Sequence, residues 1–455
     1  KAELIVLYGR RRVGKTELLK EFCKDKRSIF YLCRKYTDDI QLQEFSKALF
    51  SLNGETFFTP FQNWDLAFSY LKKLESDTKL VLVIDEFPYA CLANKSLPSV
   101  LQIAWDSLLK DLNVMIVLCG SSMSFIEDEL LAEKNPLYGR ATGIYKVQPM
   151  PYYDAVKFLP NFTDEEKLIT LSILGGIPHY LKQFDSSCSL KENIVGNILS
   201  KGCVLYSEVD FLLYQELRET SVYNTIIQSI ALGSRSFNEL MVKTQIEKSK
   251  LSVYLKKLIE LNLVVKELPA LSSERDKNSS AKGLYELTDR FFRFWFTFAY
   301  PNLGLLEMED PVAVWEDEIE NDLHHYASKA FEEICIEYMY VLNKRRVLPF
   351  RFTSIARWWG KVTKKGEYGN LLSVSEEIDL IATDGKRENY ILGECKFTNE
   401  PFDMGQLTRL QNKLPLDGNV YYYLFSLNGF TEAVMKAAKE SNNLFLVTPK
   451  DIFSV

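Results

Sequence analysis

The chain has 455 residues, too many for one hydrophobic core, and at roughly 150 residues per domain it calls for about three domains. A net charge of −6 excludes a uniformly basic nucleic-acid binder, so any contact with phosphates must be a local patch. Eight cysteines without a C-x-x-C pair and only three histidines argue against zinc and fit a reduced, cytosolic protein, and no run reaches the ~20 apolar residues of a membrane span.

The chain opens on Lys1 directly before a strand-like run, which reads as a start inside a longer protein. That run, LIVLY, leads into Gly9-Arg10-Arg11-Arg12-Val13-Gly14-Lys15-Thr16 and then the helical pattern TELLKEF. Strand, G-x-x-x-x-G-K-T and helix in this order form a P-loop: the glycines let backbone N–H groups curl around phosphates at the positive end of a helix. Lys15 is expected to reach the β- and γ-phosphates of ATP and Thr16 to hold Mg²⁺. Next, KLVLVIDEFPYA reads as a buried parallel strand ending in acids. Asp85 would hold Mg²⁺ through water and Glu86 would polarise the attacking water. A third strand, LNVMIVLCGSS, ends in Ser121 and Ser122, where Ser121 is a candidate sensor of the γ-phosphate and equally an ordinary loop serine. In NPLYGRATG, Arg140 is a candidate transition-state arginine, within its own chain or lent to a neighbouring subunit.

Taken in order, GRRRVGKT, IDEFPYA, CGSS, PLYGR and GGIPHYL resemble the archaeal-type P-loop ATPases related to the AAA+ and STAND NTPases. The resemblance places Gly175, Gly176 and Pro178 in a helical lid after the nucleotide domain. It also implies a base-contacting segment before the first strand, expected to lie ahead of Lys1.

From Met150 to about Ser221 the pattern is helical and names no chemistry. Ser236 with Glu239 then forms a capping box before one helix. A second helix, KLSVYLKKLIELN, puts Leu251, Leu255, Leu258 and Ile259 on one face. Strands VVKEL and GLYEL, joined by a charged, Ser-rich loop, complete a winged-helix pattern. Lys248, Lys250, Lys256 and Lys257 read either as phosphate contacts or as a solvated face. The aromatic run LTDRFFRFWFTFAY is too apolar to stay exposed and reads as a core helix between domains.

After Pro301 a long helical pattern restarts, followed between Lys344 and Lys365 by eight basic residues and no acid, with Phe350, Phe352, Trp358 and Trp359 among them. Such a tract can bind and stack on nucleic acid, or form surface strands whose aromatics face the core. The hairpin EIDLIATDGKRENYILGECKF comes next. A loop over Asp384–Asn389 pairs Thr383 with Tyr390 and sets Asp379 opposite Glu394, an arrangement that like charges disfavour. A two-residue turn at Asp384-Gly385 would instead set Asp379 opposite Tyr390. Asp379 with Glu394-x-Lys396 resembles the PD-(D/E)xK core of restriction-endonuclease-like folds. There a divalent cation between Asp379 and Glu394 offsets their repulsion and activates water, while Lys396 stabilises developing negative charge. Glu332 matches the acid that such folds contribute from their first helix. The E-x-K triplet alone is weak, since Glu165-Glu166-Lys167 shows it on a helical segment, and an ion pair between Lys396 and either acid is the alternative.

The expected fold is α/β: a P-loop ATPase core over residues 1–150, a helical lid over 151–221, a winged helix over 222–300 and a restriction-endonuclease-like domain over 301–455. The leading expectation is an ATP- and Mg²⁺-dependent DNA-processing enzyme, with Mn²⁺ an alternative metal at the C-terminal site, homo-oligomers allowed and no membrane partner. Its rival is a STAND-like switch with a silent nuclease-like domain. A third reading is a DNA-binding regulator that uses the winged helix.

Overall fold

Parallel pairing explains why the N-terminal strands are apolar on both faces. Strands β1 (Glu3–Tyr8), β2 (Ser28–Leu32), β3 (Leu80–Asp85), β4 (Val114–Gly120) and β5 (Gly143–Lys146) form one parallel sheet in the order β2-β3-β4-β1-β5. Apolar cores cover both of its faces, and every residue of β3 is buried. The crossovers leave β3, β4 and β1 adjacent, so the turns after Asp85, Gly120 and Tyr8 share one edge. The computed structural model describes residues 1–54, 59–123, 125–272, 283–308, 310–365 and 371–454.

Contacts divide the chain into two compact units. One holds Lys1–Pro149 with Ile177–His179; the other holds Met150–Gly176 with Tyr180–Val455. The Gly-Gly-x-Pro segment straddles this division. Gly176 packs so closely on Met150 that a Cβ would lie 1.8 Å from its carbonyl oxygen. Pro178 belongs with the first unit, its ring 3.9 Å from where a Cβ on Gly14 would stand.

In the second unit, Thr163 and Glu166 cap the helix Asp164–Leu174, which carries the Glu165-Glu166-Lys167 triplet away from any strand. Helices Thr220–Ala231, Phe237–Thr244 and Lys248–Glu260 precede the antiparallel pair β6 (Val264–Glu267) and β7 (Leu284–Leu287), a winged helix. Ser236 and Glu239 make the capping box reciprocally. Leu251, Leu255 and Leu258 are buried as the 3.6-residue period requires, but Ile259 is 40% exposed, one position too far round the helix. The Ser-rich loop at 273–282 lies outside the described residues. The aromatic run is buried from Phe291 to Phe298 apart from Thr297, and buried Arg293 bonds Glu333 at 2.9 Å.

The C-terminal sheet is mixed, in the order β12-β11-β10-β9-β8. Strands β8 (Ser354–Lys365), β9 (Leu371–Thr383) and β10 (Asn389–Lys396) run antiparallel, while β11 (Asn419–Ser426) and β12 (Leu444–Val447) join parallel to β10. Thr383 pairs with Tyr390, so the six-residue loop sets the hairpin register, not the two-residue turn. The basic tract does not form one exposed stripe. Phe352 is buried, Trp358 packs against the core of this sheet, and Arg357 is folded into a cluster of acids.

Candidate functional site

The P-loop turn needs glycine where it bends. At Gly9 (φ +155°) a Cβ would lie 2.3 Å from the Val147 carbonyl oxygen, and Gly14 enters the helix Lys15–Cys23 at φ +93°. Lys15 is 6% exposed, and its ammonium donates to the carbonyls of Gly9 (2.8 Å) and Arg10 (2.9 Å). Burial pushes its pKa down, against the opposing pull of Cys119, Glu86 and Asp85. Thr16 Oγ1 donates to Asp85 Oδ2 at 2.7 Å, which brings together the two oxygen groups expected around Mg²⁺. Hydroxyl and carboxylate oxygens are hard donors, the chemistry Mg²⁺ selects.

Glu86 follows in a left-handed conformation (φ 52°, ψ 40°), a costly geometry for a non-glycine residue. Its carboxylate accepts Ser121 Oγ at 2.8 and 2.9 Å and the Ser121 N–H at 3.3 Å. Ser121, expected to face the γ-phosphate, thus holds the candidate water-activating glutamate. Arg11 donates to Tyr89 Oη at 3.0 Å. Arg140 is not brought to the P-loop residues. Its guanidinium forks onto Asp106 (2.9–3.2 Å) and bonds the carbonyls of Pro136 and Tyr138, because the PLYGR turn closes back on the helix Leu97–Ser107.

In the second unit a cavity of about 680 Å³ collects Glu332, Asp379, Glu394 and Lys396. A bulge aims Asp379 into it. Between Ala356 and Trp358 on β8, the partners on β9 run from Ile381 to Ile378, leaving Leu380 and Asp379 both opposite Arg357. The β9–β10 ladder stops at Leu380 and Gly393, and the next inward N–H, from Cys395, donates to Asp379 Oδ2 at 2.7 Å. Glu332 comes from the long helix Leu323–Arg345. Glu394 is 6% exposed and carries a lysine on each oxygen, Lys396 at 2.7 Å and Lys413 at 2.6 Å. The anticipated ion pair therefore exists, on Glu394.

Electrostatics set the acids apart. Burial first, and the Asp379 charge second, push Glu332 up to about 8. Asp379 is pushed up to about 6 by burial and by Glu394, although the Cys395 N–H and both lysines oppose the shift. Among the described residues no three His, Cys, Asp or Glu side chains form a ready metal cage. The donors still fit a hard divalent cation: buried carboxylates crowded until their proton affinity rises are the groups whose strain a cation relieves.

Two cations here had no sequence signal. Lys413 stands in a turn beyond the helix Met404–Gln411, far from the E-x-K triplet. Arg357, read as one of a basic tract, reaches Glu332 (3.4 Å), Glu286 (3.6 Å), Glu267 (3.9 Å) and Glu377. Glu286 also binds Arg235 (2.8 Å) and Lys329, so the winged-helix strands β6 and β7 share a buried ion cluster with the candidate site. A separate concavity of about 790 Å³ borders the helix Lys248–Glu260 and is lined by Arg218, Lys250 and Lys257 among others.

Residues 1–184 match a family model described as an ATPase domain predominantly from Archaea. Residues 224–266 match the arsR family of bacterial regulatory proteins, and residues 295–409 match a family of archaeal and bacterial proteins of unknown function. An uncharacterized protein of Methanocaldococcus jannaschii is 30% identical over 396 residues, 87% of this chain and 83% of that protein. A second uncharacterized protein of that organism is 35% identical over 85 residues, 18% of this chain and 80% of its own length. Among solved structures, the Walker-type ATPase of Pyrococcus abyssi is 22% identical with a TM-score of 0.49, covering 64% of this chain and 90% of that one.

Proposed function

Because the chain belongs to the archaeal-type P-loop ATPase family with a winged helix and a C-terminal restriction-endonuclease-like domain, we propose that it is an ATP-dependent enzyme acting on DNA, whose C-terminal cavity hydrolyses phosphodiesters. One observation carries this reading: Asp379, Glu394, Lys396 and Glu332, drawn from two strands and a helix, line a single cavity.

In the ATPase domain, Lys15 exchanges the carbonyls of Gly9 and Arg10 for the β- and γ-phosphates. Thr16 and Asp85 are the residues that would hold Mg²⁺, which would supply charge neutralisation at the phosphates. Glu86 orients the attacking water once Ser121 releases it, so Ser121 ties the resting state to the position of the catalytic carboxylate. In the C-terminal cavity, Asp379 and Glu394 are the residues to hold Mg²⁺ or Mn²⁺, with the Cys395 carbonyl a further oxygen donor. The cation there supplies an activated water and charge neutralisation. Lys396 stabilises negative charge on the scissile phosphate. Glu332, whose proton affinity burial and Asp379 raise, is the residue to move a proton beside the reacting groups.

DNA as the partner follows from the winged helix and from a site that works on phosphodiesters. Arg218, Lys250 and Lys257 line a groove with Glu216 and Glu219, and its three cations are the groups that would meet a nucleic-acid backbone. Arg140 acts in structure through Asp106 on this reading, and a role across a subunit interface in a homo-oligomer would require that pair to open. Among the described residues no helix is long and apolar enough to cross a membrane. We place the protein in the cytoplasm, with its substrate.

The switch reading draws on one fact: both Glu394 oxygens are occupied by lysines, as in a site that only docks a partner. Supercoiled DNA incubated with Mg²⁺ or Mn²⁺ separates the two readings. Cleavage by the wild type and none by Asp379→Asn supports the enzyme; intact DNA in every condition, with ATP still hydrolysed, supports the switch.

A further inference from the structure

Glu394 presents a conflict between what it touches and what the proposed reaction asks of it. Its two carboxylate oxygens each hold an ammonium, Lys396 at 2.7 Å and Lys413 at 2.6 Å, in a pocket where Glu394 itself is 6% exposed. A divalent cation on this carboxylate would stand beside two positive charges at short range, which a partly buried site screens poorly. Withdrawal of one lysine relieves that repulsion as the cation binds.

The two lysines are held differently. Lys396 lies on β10, two residues from Glu394 on the same strand face, and its backbone is held along β11: it pairs with Ser426, and its carbonyl accepts from the Leu427 N–H. Lys413 sits in a turn after the helix Met404–Gln411, outside any ladder, and is tied to the site through its side chain. Either ion pair breaks by side-chain motion alone, but only Lys413 stands on backbone outside a ladder and so moves away with its turn as well. Its side chain is 17% exposed and lines the cavity, so the released ammonium stays beside the space a substrate phosphate would fill.

We propose that Lys413 is a displaceable positioning residue of the phosphodiesterase site: it occupies Glu394 in the resting chain, gives way to the divalent cation, and then binds a phosphate of the incoming strand. The inference rests on the metal-dependent reading above. It makes cation and phosphodiester bind cooperatively, because the cation frees the lysine that the phosphate needs. It also makes the resting site safe, since its acids are neutralised internally until both ligands are present.

Mn²⁺ titration of the full chain, followed by the electron paramagnetic resonance of the free ion, tests this without relying on cleavage. Lys413→Met should bind Mn²⁺ about tenfold tighter than wild type, the value of one lost charged hydrogen bond at a partly buried group. A short single-stranded oligonucleotide should tighten Mn²⁺ binding in the wild type and not in Lys413→Met. Lys413→Arg keeps the cation and should return the wild-type affinity, which separates this effect from misfolding. Equal or weaker Mn²⁺ binding by Lys413→Met, with a site that Asp379→Asn abolishes, overturns the role of Lys413 and leaves the metal site standing. Identical titrations for wild type and Asp379→Asn overturn both.

Discussion

Lys15 and Glu86 are both held by groups of their own domain. The ammonium is satisfied by the loop's own carbonyls, and the glutamate by Ser121. Lys15→Ala should therefore abolish ATP binding, measured by calorimetry, whereas Glu86→Gln should keep binding and slow turnover by roughly 10²-fold or more. Retained ATP affinity in Lys15→Ala would remove the nucleotide assignment. The P-loop around Lys15 was legible because strand, glycine spacing and helix coincide within twenty-odd positions, and Glu86 was read from the end of a separate apolar strand. The Ser121–Glu86 bond was not, since nothing in the sequence states that the end of β4 faces the turn after β3.

At the same scale, Glu332 has a pH signature. Its carboxyl has a folded pKa of about 8 against an ordinary 4.5, raised by burial and by Asp379. It binds its proton more tightly folded than unfolded, so its contribution to stability is full below about pH 4.5 and is lost as pH rises through 8. Without divalent metal, the melting temperature of the second unit should fall as pH rises from 5 to 9. Glu332→Gln should flatten that fall and melt higher than wild type at pH 9, by roughly 2–4 °C per kcal/mol recovered. Parallel melting curves for the two proteins would show that Glu332 is not the group responsible.

Among the elements, the β9 bulge decides most. An unbroken ladder would alternate its side chains regularly between the faces; the extra residue opposite Arg357 re-aims Asp379 and lets its carboxylate take the Cys395 N–H. The six-residue hairpin loop was one of two registers that the turn residues allowed, and the ladder from Thr383–Tyr390 to Leu380–Gly393 is the one formed, stopping one pair short of Asp379 and Glu394. The bulge was not legible, because it depends on how β8 meets β9, and β8 carried only a basic tract as its signal. Arg357 pairs with acids from four elements, and its side chain is 11% exposed. Arg357→Leu leaves buried Glu286 and partly buried Glu332 without this partner and should cost about 3 kcal/mol in urea unfolding. Arg140→Ala removes a solvated pair with Asp106 and should cost at most about 1 kcal/mol. Equal costs would mean that the cluster around Arg357 is no more than surface charge.

Over the whole molecule, motifs and patterning carried the apolar parallel sheet, the capped helical pair with its two strands and one C-terminal hairpin, while the resemblance alone implied the C-terminal α/β fold and nothing foretold the parallel strands β11 and β12. Contacts divide the chain differently from the motifs, because lid, winged helix and C-terminal sheet pack as one unit while Ile177–His179 joins the ATPase core. Ion clusters join segments within the second unit. Arg235, Lys329 and Arg357 all meet on Glu286, a residue whose neighbours in sequence read only as a short strand. Charges that unite distant segments leave no periodic trace, unlike the apolar faces of helices and strands.

On the proposed function, ATP binding at Lys15 governs a metal-dependent cut made by Asp379, Glu394 and Lys396. The most direct test incubates supercoiled and linear DNA with the protein in Mg²⁺ or Mn²⁺, with and without ATP, beside Lys15→Ala and Lys396→Ala. Cutting that depends on ATP, changes in Lys15→Ala and vanishes in Lys396→Ala is the predicted result. DNA left intact by the wild type in every condition, or cut equally well by Lys396→Ala, would contradict it.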